Sequence, residues 1–189
     1  MWYTIALFVH ILGAIGLFVA VSLIVVAFIR MQQATTLTQL REWASVANVA
    51  GKSLIFVSLV ILAPALYMVI LAWGFATPWV MASLITFVVL AIMGATLNGR
   101  NIERIVALTQ APASDRIPDE VRSRLMAPQL WLPEGIRLML LFGILYLMAV
   151  KPGLLSSTLI LIGMLILGIV LGALAQRLPG RVSLQQQHI

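Results

Sequence analysis

The chain has no cysteine and few charged residues. None of its 189 residues is a cysteine, which excludes disulfide bonds, thiolate metal sites and a cysteine nucleophile. Charged residues make up 10% of the chain and hydrophobic residues 62%, whereas soluble domains carry about 25% charged residues. The main solvent of this chain is therefore lipid. The formal net charge of +6 comes from basic residues spread over the loops, a pattern that fits a membrane-topology signal and not nucleic-acid binding.

Motifs of the common enzyme classes are also absent. The sequence has no P-loop, no G-x-S-x-G and no H-E-x-x-H. The predicted membrane spans contain no carboxylate, which disfavours paired acid–base catalysis and ion-coupled transport within the membrane. The sequence therefore favours a protein that is not an enzyme.

Five apolar runs are long enough, or nearly so, to cross a bilayer, which takes about 20 helical residues. They predict an all-α membrane bundle in one domain, residues 1–175, with helices at about 3–29, 53–73, 78–97, 136–150 and 154–174. Residues 30–52 and 98–135 are predicted loops, and 176–189 a tail. The first run is too long for a signal peptide and lacks its basic flank. Pro118 followed by Asp119 and Glu120 predicts a short helix within the second loop.

The basic residues predict the orientation. With the N-terminus outside, eleven of the twelve Lys and Arg residues lie on the inner side, and only Lys151 lies outside. Trp2, Trp73 and Trp79 then fall at the outer interface, where amphipathic rings settle. We predict a multi-pass protein of a bacterial inner membrane, with the N-terminus outside and the C-terminus cytoplasmic.

His10 is the strongest candidate for chemistry. It lies about 12 Å along the first helix, and ionisable groups at such depth usually face the bundle interior. Gly13 lies on the same face and would admit a neighbouring helix or a flat cofactor. Three interpretations stay open: a histidine hydrogen-bonded to another helix, a haem or metal ligand, and a proton-handling or substrate-binding group.

Hydroxyl groups on the other helices lie at a similar depth, among them Tyr67, Ser83 and Thr86. If the helices converge, these groups form a small polar pocket with His10, although serine and threonine also bond their own helix backbone. The predicted cofactor-binding residues are His10, Gly13, Tyr67 and Thr86. The only other histidine, His188, lies in the tail, so haem b or copper would take His10 and a methionine such as Met68. The cofactor itself stays unknown.

Two further pairs stand out on the later helices. Glu134 and Arg137 share a helix face and are predicted to form an ion pair at the inner interface, with a gate or a cytoplasmic binding site as the alternative. Gly168 and Gly172 form a G-x-x-x-G pair, typical of close helix contact or dimerisation. Pro64 predicts a kink in the second helix.

The run from Phe8 to Ala14 resembles the first helix of small bacterial membrane proteins in the copper-resistance D and HemJ-type protoporphyrinogen oxidase group. The run from Tyr146 to Gly153 is similar to a later helix and turn of an uncharacterised family of predicted integral membrane proteins related to that group. HemJ-type proteins bind haem b through membrane histidines, and His10 matches one of these by position. A second matching histidine is missing, and the chain offers fewer ligands than copper-resistance D proteins.

We therefore expect a small inner-membrane binding or accessory subunit that acts through an intramembrane site around His10. One alternative is a haem- or copper-binding protein that uses His10 and a methionine. Another is a structural subunit of a homo-oligomer or larger membrane complex, with Gly168 and Gly172 at the contact. The expected partners are the lipid bilayer and such a complex, with no nucleic acid.

Overall fold

The computed structural model describes residues 1–110 and 117–176, and these are almost entirely helical. Within the described residues there are seven α-helices: α1 (Trp2–Gln33), α2 (Leu37–Met68), α3 (Pro78–Met93), α4 (Gly99–Thr109), α5 (Asp119–Leu125), α6 (Pro128–Val150) and α7 (Leu154–Ala175). A π-helical turn, Val69–Trp73, extends α2, and a second, Gly94–Asn98, joins α3 to α4. Residues 111–116 of the second predicted loop and nearly all of the expected tail, residues 177–189, lie outside the described residues.

Five helical segments among the described residues are long and apolar enough to cross a membrane: Trp2–Gln33, Leu37–Trp73, Pro78–Thr109, Asp119–Val150 and Leu154–Ala175. The predicted all-α fold with five spans is therefore confirmed. The first segment has 32 residues, which makes it about 48 Å long, against ~30 Å of hydrocarbon. The longer helices therefore project beyond the membrane.

Several helices extend past the predicted spans. The second helix begins at Leu37 and not near residue 53, and the sixth begins at Pro128 and not near residue 136. The Thr36 hydroxyl caps α2 by accepting from the Gln39 backbone N–H at 3.3 Å. The added turns are amphipathic. A prediction based on hydropathy alone therefore ends the span where polar residues begin, although the helix itself continues. Most of the regions predicted as loops, 30–52 and 98–135, are therefore helical where the structure describes them.

The two ends of the bundle differ. At one end the Trp73 indole N–H donates a hydrogen bond to the Tyr3 hydroxyl oxygen, and the Trp73 ring also contacts Trp79; we call this the tryptophan end. At the opposite, arginine-rich end, α1 and α2 project and pack with α4, α5 and the start of α6. There Phe28 is fully buried against the edge of Trp131, whose indole N–H donates to the Leu125 carbonyl at 2.9 Å.

Helix packing leaves an opening inside the bundle. Helices α1 and α2 form one close pair and α6 and α7 another, and α3 packs on α6 and α7. Helices α2 and α3, although consecutive, scarcely touch along their lengths. Two cavities lie between them, and both are bordered by Leu62 and Phe87. This α2–α3 cleft holds the candidate sites.

Candidate functional site

A cavity of about 260 Å³ lies in the half of the α2–α3 cleft nearer the tryptophan end. We call it the His10 cavity. Most of its wall is apolar. The polar, aromatic and sulfur-bearing side chains that line it are Tyr3, His10, Met68, Trp73, Trp79, Ser83, Phe87, Met148 and Lys151. Helices α1, α2, α3 and α6 all contribute, so the cavity exists only in the assembled bundle.

One ring nitrogen of the His10 side chain is already engaged. Nδ1 lies 3.0 Å from the carbonyl oxygen of Ile61, and the residue is buried. A carbonyl can only accept, so Nδ1 is assigned as the donor. In the neutral ring this leaves Nε2 with its lone pair. Nε2 has no hydrogen-bond partner among the described residues, and it remains accessible from the cavity.

Two residues explain how α1 and α2 bring His10 to this carbonyl. A Cβ atom at Gly13 would lie 2.7 Å from Ile61 Cγ1 and 3.2 Å from its backbone nitrogen, so only glycine permits the observed approach. Pro64 follows Ile61 by three residues within α2. It supplies no N–H to the Val60 carbonyl four residues earlier, and its ring pushes against that carbonyl, so a bend is expected in α2 next to Ile61. Gly13 therefore permits the close approach of the two helices, and Pro64 disturbs α2 beside the contact.

Ser83 is the second polar group of the cavity. Its side chain is buried, and its hydroxyl oxygen finds no hydrogen-bond partner among the described residues. A buried hydroxyl without a partner costs about 1–3 kcal/mol. Its depth is the only sequence signal that points to it, and Thr86 and Tyr67 share that signal. A bound group that hydrogen-bonds Ser83 would remove this penalty.

The other predicted cofactor-binding residues are placed differently. Met68 is buried and lines the cavity. Gly13 contacts Ile61 and does not border the cavity. Tyr67 is half exposed, and the Thr86 hydroxyl donates to the Ala82 carbonyl at 2.7 Å within its own helix; neither lines the cavity. The structure thus brings together His10 and Met68 of the predicted set.

Lys151 and the aromatic cluster border the cavity at the tryptophan end. The Lys151 ammonium lies 4.3 Å from the centre of the Trp73 ring, and Trp73 and Trp79 meet edge-on with centroids 5.1 Å apart. Lys151 follows the last turn of α6 with a positive φ of 55°. A cation over an aromatic face is attracted by the ring quadrupole. The charge pattern of the sequence predicts Lys151 at the outer end, but no sequence pattern predicts that it borders the same cavity as His10.

Glu134 and Arg137 lie in the other half of the bundle, toward the arginine-rich end. Both are buried, and Arg137 Nη2 donates to Glu134 Oε1 within α6. Arg137 Nε has no partner among the described residues. Nη1 lies 3.4 Å from the position that a Cβ at Gly94 would take, in the second π-helical turn. Arg137, but not Glu134, lines the second cavity of the cleft, and neither residue lines the His10 cavity.

Gly168 and Gly172 contact α6 of the same chain. A Cβ at Gly168 would lie 2.7 Å from Ile136 Cα, and one at Gly172 would lie 2.7 Å from the Trp131 carbonyl oxygen. Gly135 faces them from α6. Small residues allow helix backbones to approach closely in a membrane. Because this face is already covered, these two glycines are not free to contact another subunit.

The donor set of the His10 cavity limits the metals that it suits. No group of three or more His, Cys, Asp or Glu side chains converges anywhere in residues 1–110 and 117–176. Hard or borderline ions that need several such ligands therefore find no suitable set among these residues. A soft ion could use the His10 imidazole with the thioethers of Met68 and Met148.

Comparison with known proteins agrees with this architecture. The model of a family described as "Predicted integral membrane protein (DUF2269)" matches residues 4–152. No curated protein and no solved structure matches the chain. The relation to the copper-resistance D and HemJ-type group stays a prediction. The matched range includes the buried ion pair, nearly all of α1, all of α2 to α6 and every residue that lines the His10 cavity except Tyr3. The chain therefore belongs to this family of predicted integral membrane proteins.

Proposed function

We propose that the protein binds a small ligand within the membrane, in the His10 cavity, and that His10 Nε2 is the group that holds it. The observation that carries the proposal is the contact between His10 Nδ1 and the Ile61 carbonyl. This contact fixes the ring and its tautomer, and leaves one basic nitrogen bordering a cavity. Histidines that bind metals are oriented by the same kind of contact to a carbonyl.

The cavity favours a particular ligand chemistry. Nε2 accepts a hydrogen bond or donates its lone pair to a metal, and Ser83 offers a hydroxyl without a partner. The remaining wall is largely apolar. A volume of about 260 Å³ falls just below the ~300–1,000 Å³ of pockets for drug-sized ligands. The site therefore suits a small molecule with a hydroxyl group, or the polar head of a longer lipid-soluble molecule.

A second candidate function is binding of copper(I). Met68 and Met148 line the cavity together with His10, and soft thioethers and imidazole are suitable copper(I) ligands. Haem b would use the same nitrogen, with a methionine opposite. The small volume of the cavity favours a single ion over a macrocycle. Met68 and Met148 also fit a purely structural role as apolar filler, so copper has to be measured.

Two substitutions separate ligand binding from a structural role of His10. His10→Asn keeps a donor near the position of Nδ1 and removes Nε2, whereas His10→Ala removes both. His188→Ala is the matched control, because it removes the other histidine of the chain. Each protein is purified in mild detergent from cells supplied with copper and haem precursors. Bound small molecules are measured by native mass spectrometry, metals by elemental analysis and haem by absorption.

We expect the wild type and His188→Ala to retain the same ligand, and both His10 variants to lose it. We further expect His10→Asn to unfold at nearly the wild-type temperature, since it preserves the bond to α2. Equal ligand content in all four proteins would contradict the proposal. Absence of any bound molecule or metal from the wild type would contradict it as well, and would leave His10 as a structural link between α1 and α2.

The location and orientation of the protein belong to the same proposal. We infer an N-terminus outside and a C-terminus in the cytoplasm of a bacterial inner membrane. The support is the distribution of basic residues: of the Lys and Arg residues that the structure describes, Lys151 is the one at the tryptophan end. In this orientation the His10 cavity lies in the outer leaflet. Its ligand would then enter from the outer side or from the outer half of the bilayer.

A further inference from the structure

A second and larger cavity, of about 460 Å³, occupies the half of the α2–α3 cleft nearer the arginine-rich end. We call it the Arg137 cavity. Helices α1 and α6 form its floor, and α2 and the α3–α4 segment form its walls. Its charged and amide side chains gather at one end and are Asn48, Lys52, Glu103 and Arg137; Ser58 is the remaining polar side chain of the lining. Towards Leu62 and Phe87 its lining is apolar.

The guanidinium of Arg137 is the unusual feature of this cavity. The residue is 4% exposed, and its ion pair with Glu134 uses Nη2. Neither Nε nor Nη1 of Arg137 donates a hydrogen bond to any of the described residues. Buried charge-bearing groups are costly unless their hydrogen-bonding capacity is satisfied. Arg137 therefore retains capacity for an acceptor such as a phosphate oxygen.

The part of the cavity beyond its charged end has the length of one leaflet. Along α2 the whole lining runs from Asn48 to Leu62, fourteen residues or about 21 Å of helix. The ten residues from Lys52 to Leu62 cover about 15 Å of this, half of the ~30 Å hydrocarbon core. Ile55 and Leu59 on α2 and Ile92 on α3 line the cavity and are also strongly exposed on the bundle surface. The cavity therefore opens sideways towards the acyl chains of a single leaflet.

We propose that the Arg137 cavity holds one phospholipid with a zwitterionic, amine-bearing head. Its phosphate lies at Arg137 and Lys52, its ammonium lies near Glu103, and one acyl chain follows the apolar wall towards Leu62. Charge decides the type of head. Glu134 already neutralises Arg137, so the cavity offers Lys52 and Glu103 as one further charge of each sign. A head with one phosphate and one ammonium matches this arrangement better than an anionic head.

The site is tested in vesicles made of phosphatidylethanolamine and phosphatidylglycerol in equal parts. The protein is reconstituted, extracted in mild detergent and examined by native mass spectrometry. We expect one retained phosphatidylethanolamine per chain. Lys52→Ala should weaken its retention about fivefold, because one basic residue near a membrane surface contributes about that factor. Lys52 is exposed, so this substitution leaves the packing of the bundle intact.

A size variant tests the location of the acyl chain without changing any charge. Ala91 lines the cavity, so Ala91→Phe should fill it and remove the lipid. Ala149→Phe is the control, since Ala149 is exposed on α6 and lines neither cavity of the cleft. Preferential retention of phosphatidylglycerol, or equal lipid retention by these two variants, would overturn the proposal. The outcome is independent of the His10 cavity, whose ligand is measured with different variants.

Discussion

Packing between α6 and α7 can be tested with one methyl group. A Cβ atom added at Gly168 would lie 2.7 Å from Ile136 Cα and 2.8 Å from the Gly135 carbonyl oxygen. Non-bonded carbon atoms pack at about 3.5 Å or more, so Gly168→Ala requires a local separation of roughly 0.8 Å. The obstructing atoms belong to the backbone, and no change of rotamer can move them away.

The expected loss of stability follows from this separation. A gap of about 0.5–1 Å forfeits a quarter to a half of each dispersion contact. Lipid is as apolar as the helix surface, so no hydrophobic force between the helices compensates. Overpacked sites typically lose about 1–3 kcal/mol. Because backbone opposes backbone here, we expect Gly168→Ala to lower the free energy of unfolding by about 2–3 kcal/mol.

Gly163 provides a matched control on the same helix. A Cβ atom at Gly163 would meet nothing within 4 Å. Alanine is a better helix former than glycine by about 0.8–1 kcal/mol in water, so Gly163→Ala should leave stability unchanged or raise it slightly. The two variants carry the same chemical change, and their difference isolates the contact with α6.

The assay is unfolding in mild detergent, followed by loss of helical circular dichroism with increasing denaturant. We expect a clearly lower midpoint for Gly168→Ala than for the wild type, and a midpoint at or above that of the wild type for Gly163→Ala. Indistinguishable midpoints for the two variants would refute the close approach of α6 and α7 derived from the structure.

Two further predictions concern the ion pair and the topology. Arg137→Met should lower the free energy of unfolding by about 3–5 kcal/mol, because it leaves the Glu134 carboxylate buried without its charge partner. The double variant that also carries Glu134→Leu should recover most of this loss. Equal losses for the single and double variants in the same unfolding assay would contradict the prediction. Because the chain lacks cysteine, Phe75→Cys and Glu120→Cys each introduce a single thiol. A membrane-impermeant maleimide added to intact cells should label only the former, and the reverse result would invert the proposed orientation.

The transmembrane helices could be predicted from sequence because lipid exposure demands long apolar runs. Their true ends could not, since α2 begins 16 residues before the expected position, at Leu37 and not at Ser53. Its first turns alternate polar residues with Leu40, Ala44 and Ala47, which are buried at the arginine-rich end. Such an amphipathic stretch has a low mean hydropathy although it continues the same helix.

The candidate site shows a second kind of limit. Depth along a helix follows from counting residues, and this count predicts His10, Tyr67 and Ser83 in the same half of the bundle. Rotation about the helix axis does not follow, because it depends on which helices pack together. Successive residues differ by about 100°, so Tyr67 faces outward while Met68 lines the cavity. Depth pointed equally to Ser83 and Thr86, and only the packing of α3 shows that Ser83 lines the cavity and Thr86 does not.

Both helices that border the cleft contain irregular backbone, and α6 also contains an internal proline, Pro133. Helix α2 contains Pro64 and continues into the π-helical turn Val69–Trp73, and α3 continues into the π-helical turn Gly94–Asn98. The described parts of α1 and α7 have no such interruption. Prolines and π-turns bend a helix and frequently occur at functional sites. Because Pro64 and the two π-turns lie on the helices that fail to pack against each other, we infer that they hold the cleft open. A ligand at His10 and a lipid at Arg137 would then occupy space that the backbone itself maintains.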